Sequence, residues 1–158
     1  MIFMKNKLNY FYDDSLKVTD DEKWYHLIDM VINKSDSVEF NILYKNIESV
    51  PEIKNLSHHL IEKGKRKNKI FSSGEYLKFH LKEEMKDFIR SMKYSEGFNY
   101  YIEDISFIES NVEILATITH ENYVIMLLSE NQKNDLNKQG YNFIFYSSPD
   151  DFPDECIC

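Results

Sequence analysis

Apolar residues that alternate with other residues between positions 98 and 128 constrain the fold of this chain more than any other feature. Three of them stand at every second position at the start of the stretch: Phe98, Tyr100 and Ile102. Ile105 and Phe107 continue the alternation with the opposite parity. A period of two is typical of a β-strand with two unlike faces, and one extra residue near Glu103 and Asp104, a β-bulge, accounts for the change of parity.

The rest of this stretch predicts two turns and a hairpin. Glu109-Ser110-Asn111 has the composition of a turn. Residues 112–119 and 123–128 predict two strands that are joined across His120-Glu121-Asn122. We therefore predict an antiparallel meander over residues 98–128, and not one long helix over its second half.

Helical spacing marks four other segments of the chain. They are residues 19–33, 51–63, 85–92 and 129–139. Thr19 and Ser129 each begin a capping box, while Gly64 and Gly140 each stand where a helix commonly ends. Further strands are predicted at residues 9–12, as an edge strand, and at 38–44, 77–81 and 141–146. The predicted fold class is α+β, a mostly antiparallel sheet with a C-terminal meander and with helices packed on one face.

The length of 158 residues fits one domain with one core. We predict a single α+β domain over residues 1–146 and a flexible acidic tail over residues 147–158. Cys156 and Cys158 lie in that tail and cannot close a long loop, which favours a reducing compartment. The sequence shows neither a leader pattern nor a run of about 20 apolar residues. We therefore expect a cytoplasmic monomer or homodimer that does not enter a membrane.

Charge is distributed unevenly along the chain. The net charge is −8. Residues 96–158 contain 12 acidic residues but only two lysines, Lys133 and Lys138, and no arginine. This half therefore carries −10, and residues 1–95 carry +2. Such asymmetry favours a protein that meets a basic partner through its second half. Few aromatic residues that could stack on bases lie near the basic run at 63–69, so we expect this run to be a solvated loop and predict no nucleic-acid partner.

The sequence lacks the common signatures of a cofactor or metal site. All four glycines stand at predicted element ends, which leaves none for a phosphate-binding loop. His58 and His59 are adjacent in a predicted helix, where neighbouring side chains point about 100° apart, so we do not expect them to share a metal. We therefore predict no cofactor and no intrinsic catalytic metal. His120, Glu121, Glu103 and Asp104 are the best candidates for an enzyme-like site, because a histidine among carboxylates suits acid–base chemistry.

The charge pattern favours a small acidic binding protein that stoichiometrically inhibits a basic partner, such as an immunity protein that neutralises a bacterial nuclease toxin. This interpretation favours a protein without catalytic activity, but it leaves the question of an enzyme open. Its predicted partner-binding residues are five acids and two tyrosines: Glu103, Asp104, Glu109, Glu113, Glu121, Tyr101 and Tyr123.

Two alternatives remain open at this point. One is a phage or mobile-element accessory protein that binds a host factor or a small ligand. The other is a small hydrolase or nucleotide-modifying enzyme that uses His120 and the nearby carboxylates. Close packing of those side chains around a pocket favours the enzyme, whereas a flat acidic face favours the inhibitor.

Overall fold

A computed structural model describes residues 7–16, 21–43, 46–65, 75–94 and 99–151 of the chain. In these residues, eight strands form one antiparallel sheet: β1 (Leu8–Asp13), β2 (Ser37–Ile42), β3 (Leu60–Lys65), β4 (Glu75–His80), β5 (Ile102–Glu109), β6 (Val112–Ile118), β7 (Tyr123–Ser129) and β8 (Ile144–Ser147). The four α-helices of the same ranges are α1 (Asp21–Val31), α2 (Pro51–Asn55), α3 (Glu83–Ser91) and α4 (Glu130–Lys138). The strand order across the sheet is β3-β4-β2-β5-β6-β7-β1-β8. The predicted α+β class is confirmed.

One large apolar core joins the helices to one face of the sheet. Helix α1 contributes Leu27 and Ile28, and helix α3 contributes Met85 and Ile89, all of them buried. The strands contribute alternate residues to the same core, because successive side chains of a strand point to opposite faces. The prediction that the helices cover one face is therefore confirmed.

From Ile102 onwards the meander follows the pattern of the sequence, but its first strand begins later than predicted. Residues 99–101 form a 3₁₀ turn and not a strand, and Phe98 lies outside the described residues. A turn at Ser110 and Asn111, both with positive φ, joins β5 to β6. A short 3₁₀ turn over Thr119–Glu121 and a left-handed Asn122 join β6 to β7. The register between β2 and β5 shifts opposite Asp104, whose φ is 51°, so the predicted bulge is also confirmed.

Two elements differ from the prediction. Helix α2 ends at Asn55, and the rest of the predicted helix is a 3₁₀ turn, Ser57–His59, followed by strand β3. Gly64 therefore lies inside a strand, where a β-carbon would lie 3.4 Å from the Tyr76 ring. Strand β1 is not an edge strand, because it pairs with β7 on one side and with β8 on the other. In both cases contacts with distant strands outweigh the local pattern.

The structure describes the first residues of the predicted tail, 147–151. Strand β8 extends to Ser147, and Pro149–Asp151 forms a 3₁₀ turn, so part of the predicted tail has regular structure. Thr19 and the two cysteines, Cys156 and Cys158, lie outside the described residues. Among the helices that the structure describes, none is long and apolar enough to cross a membrane.

The sheet face away from the helices is also buried near its centre, by strand residues. Tyr10, Ala116 and Ile125 form a second, small apolar cluster there. The Tyr10 hydroxyl donates a hydrogen bond of 2.8 Å to the backbone oxygen of Glu113. This bond links β1 to β6 across the intervening strand β7.

We expect Tyr10→Phe to lower the free energy of unfolding by about 1 kcal/mol, because a buried carbonyl loses its donor. The matched control is Tyr94→Phe. Tyr94 is equally buried, but its hydroxyl has no hydrogen-bond partner in the described part of the chain, so we expect a change below about 0.5 kcal/mol. Urea unfolding of both variants measures the difference. Equal losses of stability would contradict the role given to the Tyr10 hydroxyl.

Candidate functional site

The fold brings most of the predicted partner-binding residues to one end of the sheet. At this end β5 begins, β6 ends and β7 begins. We call this region the acidic end and define it by six residues: Tyr101, Glu103, Asp104, His120, Glu121 and Tyr123. Glu109 and Glu113 do not belong to it, because β5 and β6 are antiparallel and Glu109 pairs with Val112 at the opposite end.

Glu113 lies in the interior of the structure. Its side chain is on the sheet face away from the helices, and the residue is only 2% exposed. Its carboxylate accepts a hydrogen bond of 2.8 Å from the Ser106 hydroxyl. Glu113 therefore does not present its charge at the surface, in contrast to the expectation from sequence, whereas Glu109 is exposed.

Asp104 is also buried, and its carboxylate connects three parts of the sheet. One oxygen, Oδ1, accepts a hydrogen bond of 2.8 Å from the Thr119 backbone N–H. The other, Oδ2, accepts one of 3.0 Å from the Asn41 side chain, and the Asp104 N–H donates to the Thr119 hydroxyl at 3.2 Å. Asp104 thus fixes the bulge of β5 against β2 and against the turn that carries His120. Asp104 therefore supports the acidic end from the interior of the protein, and its own side chain is not exposed there.

His120 lies between two carboxylates at the surface. Its Nδ1 is 3.7 Å from Glu103 Oε2, and its Nε2 is 3.8 Å from Glu121 Oε1. The side chains of His120 and Glu121 are about 60% exposed, and that of Glu103 is 16% exposed. One carboxylate oxygen of Glu103, one of Asp104 and one ring nitrogen of His120 all lie within 4.8 Å of one another. The four residues of the enzyme-like site predicted from sequence are therefore neighbours.

A small cavity lies beside this group. Its volume is about 30 Å³, and its walls include Glu103, Asp104, Thr119, Trp24 and Tyr94. Burial raises the pKa of the Tyr94 hydroxyl far above its usual range, and the charge of Asp104 raises it further. Such a volume holds a water molecule, whereas pockets for organic ligands commonly measure about 300–1,000 Å³. Glu103 and Asp104 therefore border a mostly apolar space that has room for a water molecule, and not a substrate-sized cleft.

Tyrosine rings cover the neighbouring part of the acidic end. Tyr123 stacks on Tyr12 of β1 with the ring centroids 5.1 Å apart, and Tyr146 of β8 meets Tyr12 edge-on at 6.1 Å. Burial raises the pKa of Tyr123 to about 12, with smaller contributions from the other two tyrosines and from Asp14 and Glu121. Tyr123 is therefore a neutral hydrogen-bond donor at neutral pH. Sequence reasoning missed Tyr12, Tyr146 and Asp14, because no local pattern shows that β1 lies between β7 and β8.

Two exposed apolar side chains lie at the same end of the sheet, next to the point where β2 ends and β5 begins. Tyr101 is 49% exposed and Leu43 is 48% exposed, and the Leu43 N–H donates a 2.8 Å hydrogen bond to the Tyr101 carbonyl. Tyr101 has φ of 58°, and Asp104 and Asn122 at the same end also have positive φ. A non-glycine residue in this conformation costs of order 1–3 kcal/mol and persists where the surrounding structure holds it, often at functional sites. Sequence reasoning also missed Leu43, which stands just past the end of β2.

Comparison with known proteins gives no lead to the function. No known protein family, curated protein or solved structure matches this chain.

Proposed function

We propose that this chain is a binding protein whose acidic end holds a basic protein partner in a one-to-one complex. The observation that carries the proposal is the convergence of Glu103 and Glu121 with several tyrosines at one end of the sheet, where Tyr101 is exposed. Glu103 and Glu121 lie on either side of His120, and Asp14 adds a further charge beside Tyr123. Carboxylates so placed attract lysine and arginine side chains of a partner, because their fields add.

A stable complex also needs apolar contacts, and the exposed apolar residues could provide them. Interfaces take most of their binding energy from a few residues, commonly aromatic ones, near the centre of the contact. Tyr101 and Leu43 are each nearly half exposed at the acidic end. In the proposed complex they become buried, while Glu103 and Glu121 form charged contacts around them.

The partner class that best fits this surface is a basic enzyme that binds phosphate, such as a nuclease toxin. Lysine and arginine residues that hold phosphate in such an enzyme would pair with the carboxylates of the acidic end, so that the substrate is occluded. In this proposal the chain acts as a bacterial immunity protein. A cytoplasmic encounter is consistent with the absence of any disulfide framework in its sequence.

Catalysis is the second candidate, and one observation favours it. The donor atoms of Glu103, Asp104 and His120 lie close enough together to act on one bound group. Two features weigh against it: the adjacent cavity has room only for water, and both oxygens of Asp104 already accept hydrogen bonds. Binding is therefore the function that the geometry supports best.

A nonaarginine peptide titrated into ¹⁵N-labelled protein tests the proposal. We expect the largest amide shift changes at residues 101–104 and 119–123, because Glu103 and Glu121 lie together there on either side of His120. The double variant Glu103→Gln with Glu121→Gln should lose at least half of these changes. The matched control, Glu109→Gln with Glu130→Gln, removes the same charge at the opposite end and should retain them. Shift changes centred on the control residues would contradict the proposal.

A further inference from the structure

Three side chains that could bind a metal lie close together on the other half of the sheet. His58 and His59 belong to the 3₁₀ turn before β3, and Glu84 belongs to the first turn of α3. The Nε2 atoms of both histidines lie 3.0 Å from the same oxygen, Oε2 of Glu84. The side chains are 60%, 16% and 53% exposed, respectively, so the group lies at the surface and is open to solvent.

This convergence overturns the expectation that adjacent histidines point apart. That expectation assumed an α-helix through residue 59, but helix α2 ends at Asn55. In the turn that follows, the rings of His58 and His59 lie with their centroids 3.9 Å apart and both reach Glu84. The spacing of ligands along the sequence gave no sign of this, because Glu84 is 25 residues from His59.

We propose that His58, His59 and Glu84 form a binding site for a late first-row divalent cation, with Zn²⁺ as the best-fitting ion. Two imidazole nitrogens and one carboxylate oxygen are a recurring ligand set for zinc with an open fourth position. Ligands about 2.0 Å from a metal, at angles between those of an octahedron and a tetrahedron, are about 2.9–3.3 Å apart. The 3.0 Å separations from Glu84 to each histidine match this spacing.

A bound cation would also avoid electrostatic repulsion between His58 and His59. Two protonated imidazoles whose rings are 3.9 Å apart would repel each other. Two neutral imidazoles can instead direct their Nε2 lone pairs to one cation, which the Glu84 carboxylate helps to neutralise. Calcium and magnesium fit less well, because both prefer ligand sets made of oxygen.

The bound ion would join two elements that are distant in sequence. The turn at Ser57–His59 leads into the edge strand β3, whereas α3 packs on the main core through Met85 and Ile89. A bound zinc ion would therefore cross-link the turn before the edge strand β3 to helix α3. The fourth position, open to solvent, would hold water.

Isothermal titration of Zn²⁺ into untagged, chelator-treated protein tests this site. We expect one ion per chain, and a melting temperature raised by about 5 °C when free Zn²⁺ is 100-fold above its dissociation constant. His59→Gln and Glu84→Gln should each weaken binding at least 10-fold. Glu83→Gln, next to Glu84 and 82% exposed, is the matched control and should bind like the natural chain. Co²⁺ in place of Zn²⁺ should give visible absorption that the first two variants lose.

Circular dichroism of the metal-free variants confirms that each has folded, since all three substitutions are at the surface or close to it. Two results would overturn the proposal. One is the absence of saturable binding up to 1 mM Zn²⁺ in folded natural protein. The other is binding that survives His59→Gln and Glu84→Gln but disappears in His120→Gln, which would place the ion at the acidic end.

Discussion

Replacing Asp104 with alanine is expected to lower the free energy of unfolding by about 3 kcal/mol, because the variant loses two hydrogen bonds to a buried carboxylate and keeps a left-handed backbone. Without the carboxylate, the Thr119 N–H and the Asn41 amide lose their acceptor inside the protein. The φ of 51° at this position is tolerated by aspartate better than by alanine. Urea unfolding with a common slope for all variants measures the loss.

Asp104→Gly separates the two causes. Glycine adopts positive φ without strain, so we expect it to be about 1 kcal/mol more stable than the alanine variant, although it also lacks the carboxylate. Glu121→Gln is the control for charge, and because this side chain is 60% exposed we expect a change within about 0.5 kcal/mol. A loss in Asp104→Ala no larger than that of the control would refute the positioning role of Asp104.

The sequence predicted those parts of the fold that depend on local signals. The alternation around Phe107 predicts β5, and the change of parity locates the bulge at Asp104. Ser129 and Gln132 form the predicted capping box at the start of α4, with each side chain bonded to the backbone of the other. In these segments, the residues that decide the structure are neighbours in the chain.

The sequence did not predict elements that distant strands decide. Ile53, Leu56 and Leu60 have helical spacing, but Leu60 pairs opposite Phe79 of β4 and so belongs to a strand. Tyr10 and Tyr12 alternate as a strand should, yet nothing local indicates that this strand pairs with β7, more than 100 residues later. Such pairings depend on the whole sheet, which no window of the sequence contains.

The sequence predicted several residues of the candidate site, but it did not predict which of their side chains are buried. The sequence identified Glu103, Glu121 and Tyr101, and the fold brings these three to one end. It also selected Glu113, because a polar residue in an alternating strand usually faces solvent. The side of the sheet that Glu113 faces is instead closed by Tyr10, whose hydroxyl reaches the Glu113 backbone from two strands away.

Charge reversal at the acidic end should give the largest functional effect. We expect Glu103→Lys with Glu121→Lys to slow association with the basic partner at least about 10-fold at low ionic strength, because electrostatic steering raises association rates by about 10–10³. Dissociation should change less, since charges at the margin of an interface act mainly on the encounter. Asp104 is left unchanged because it is buried, and its loss would confuse stability with binding.

The matched control reverses the same number of charges elsewhere. Glu109 and Glu130 are exposed at the opposite end of the sheet, so Glu109→Lys with Glu130→Lys changes the net charge equally without altering the acidic end. We expect this control to slow association by no more than about threefold, through the smaller change in the overall field. Tyr101→Ala should leave association nearly unchanged and instead speed dissociation at least about 10-fold, as expected for an aromatic anchor.

The most direct test of the acidic end is the rate constant for association of the basic protein partner with the natural chain and with both double variants, measured at 20 mM and at 500 mM salt. The account predicts that reversal at Glu103 and Glu121 removes most of the salt dependence, while reversal at Glu109 and Glu130 leaves it in place. The contradictory result is unchanged association in the first variant together with lost association when Lys65, Arg66 and Lys67 are substituted. Of these three, only Lys65 lies within the described residues, and that result would move the binding surface to the basic run of the chain.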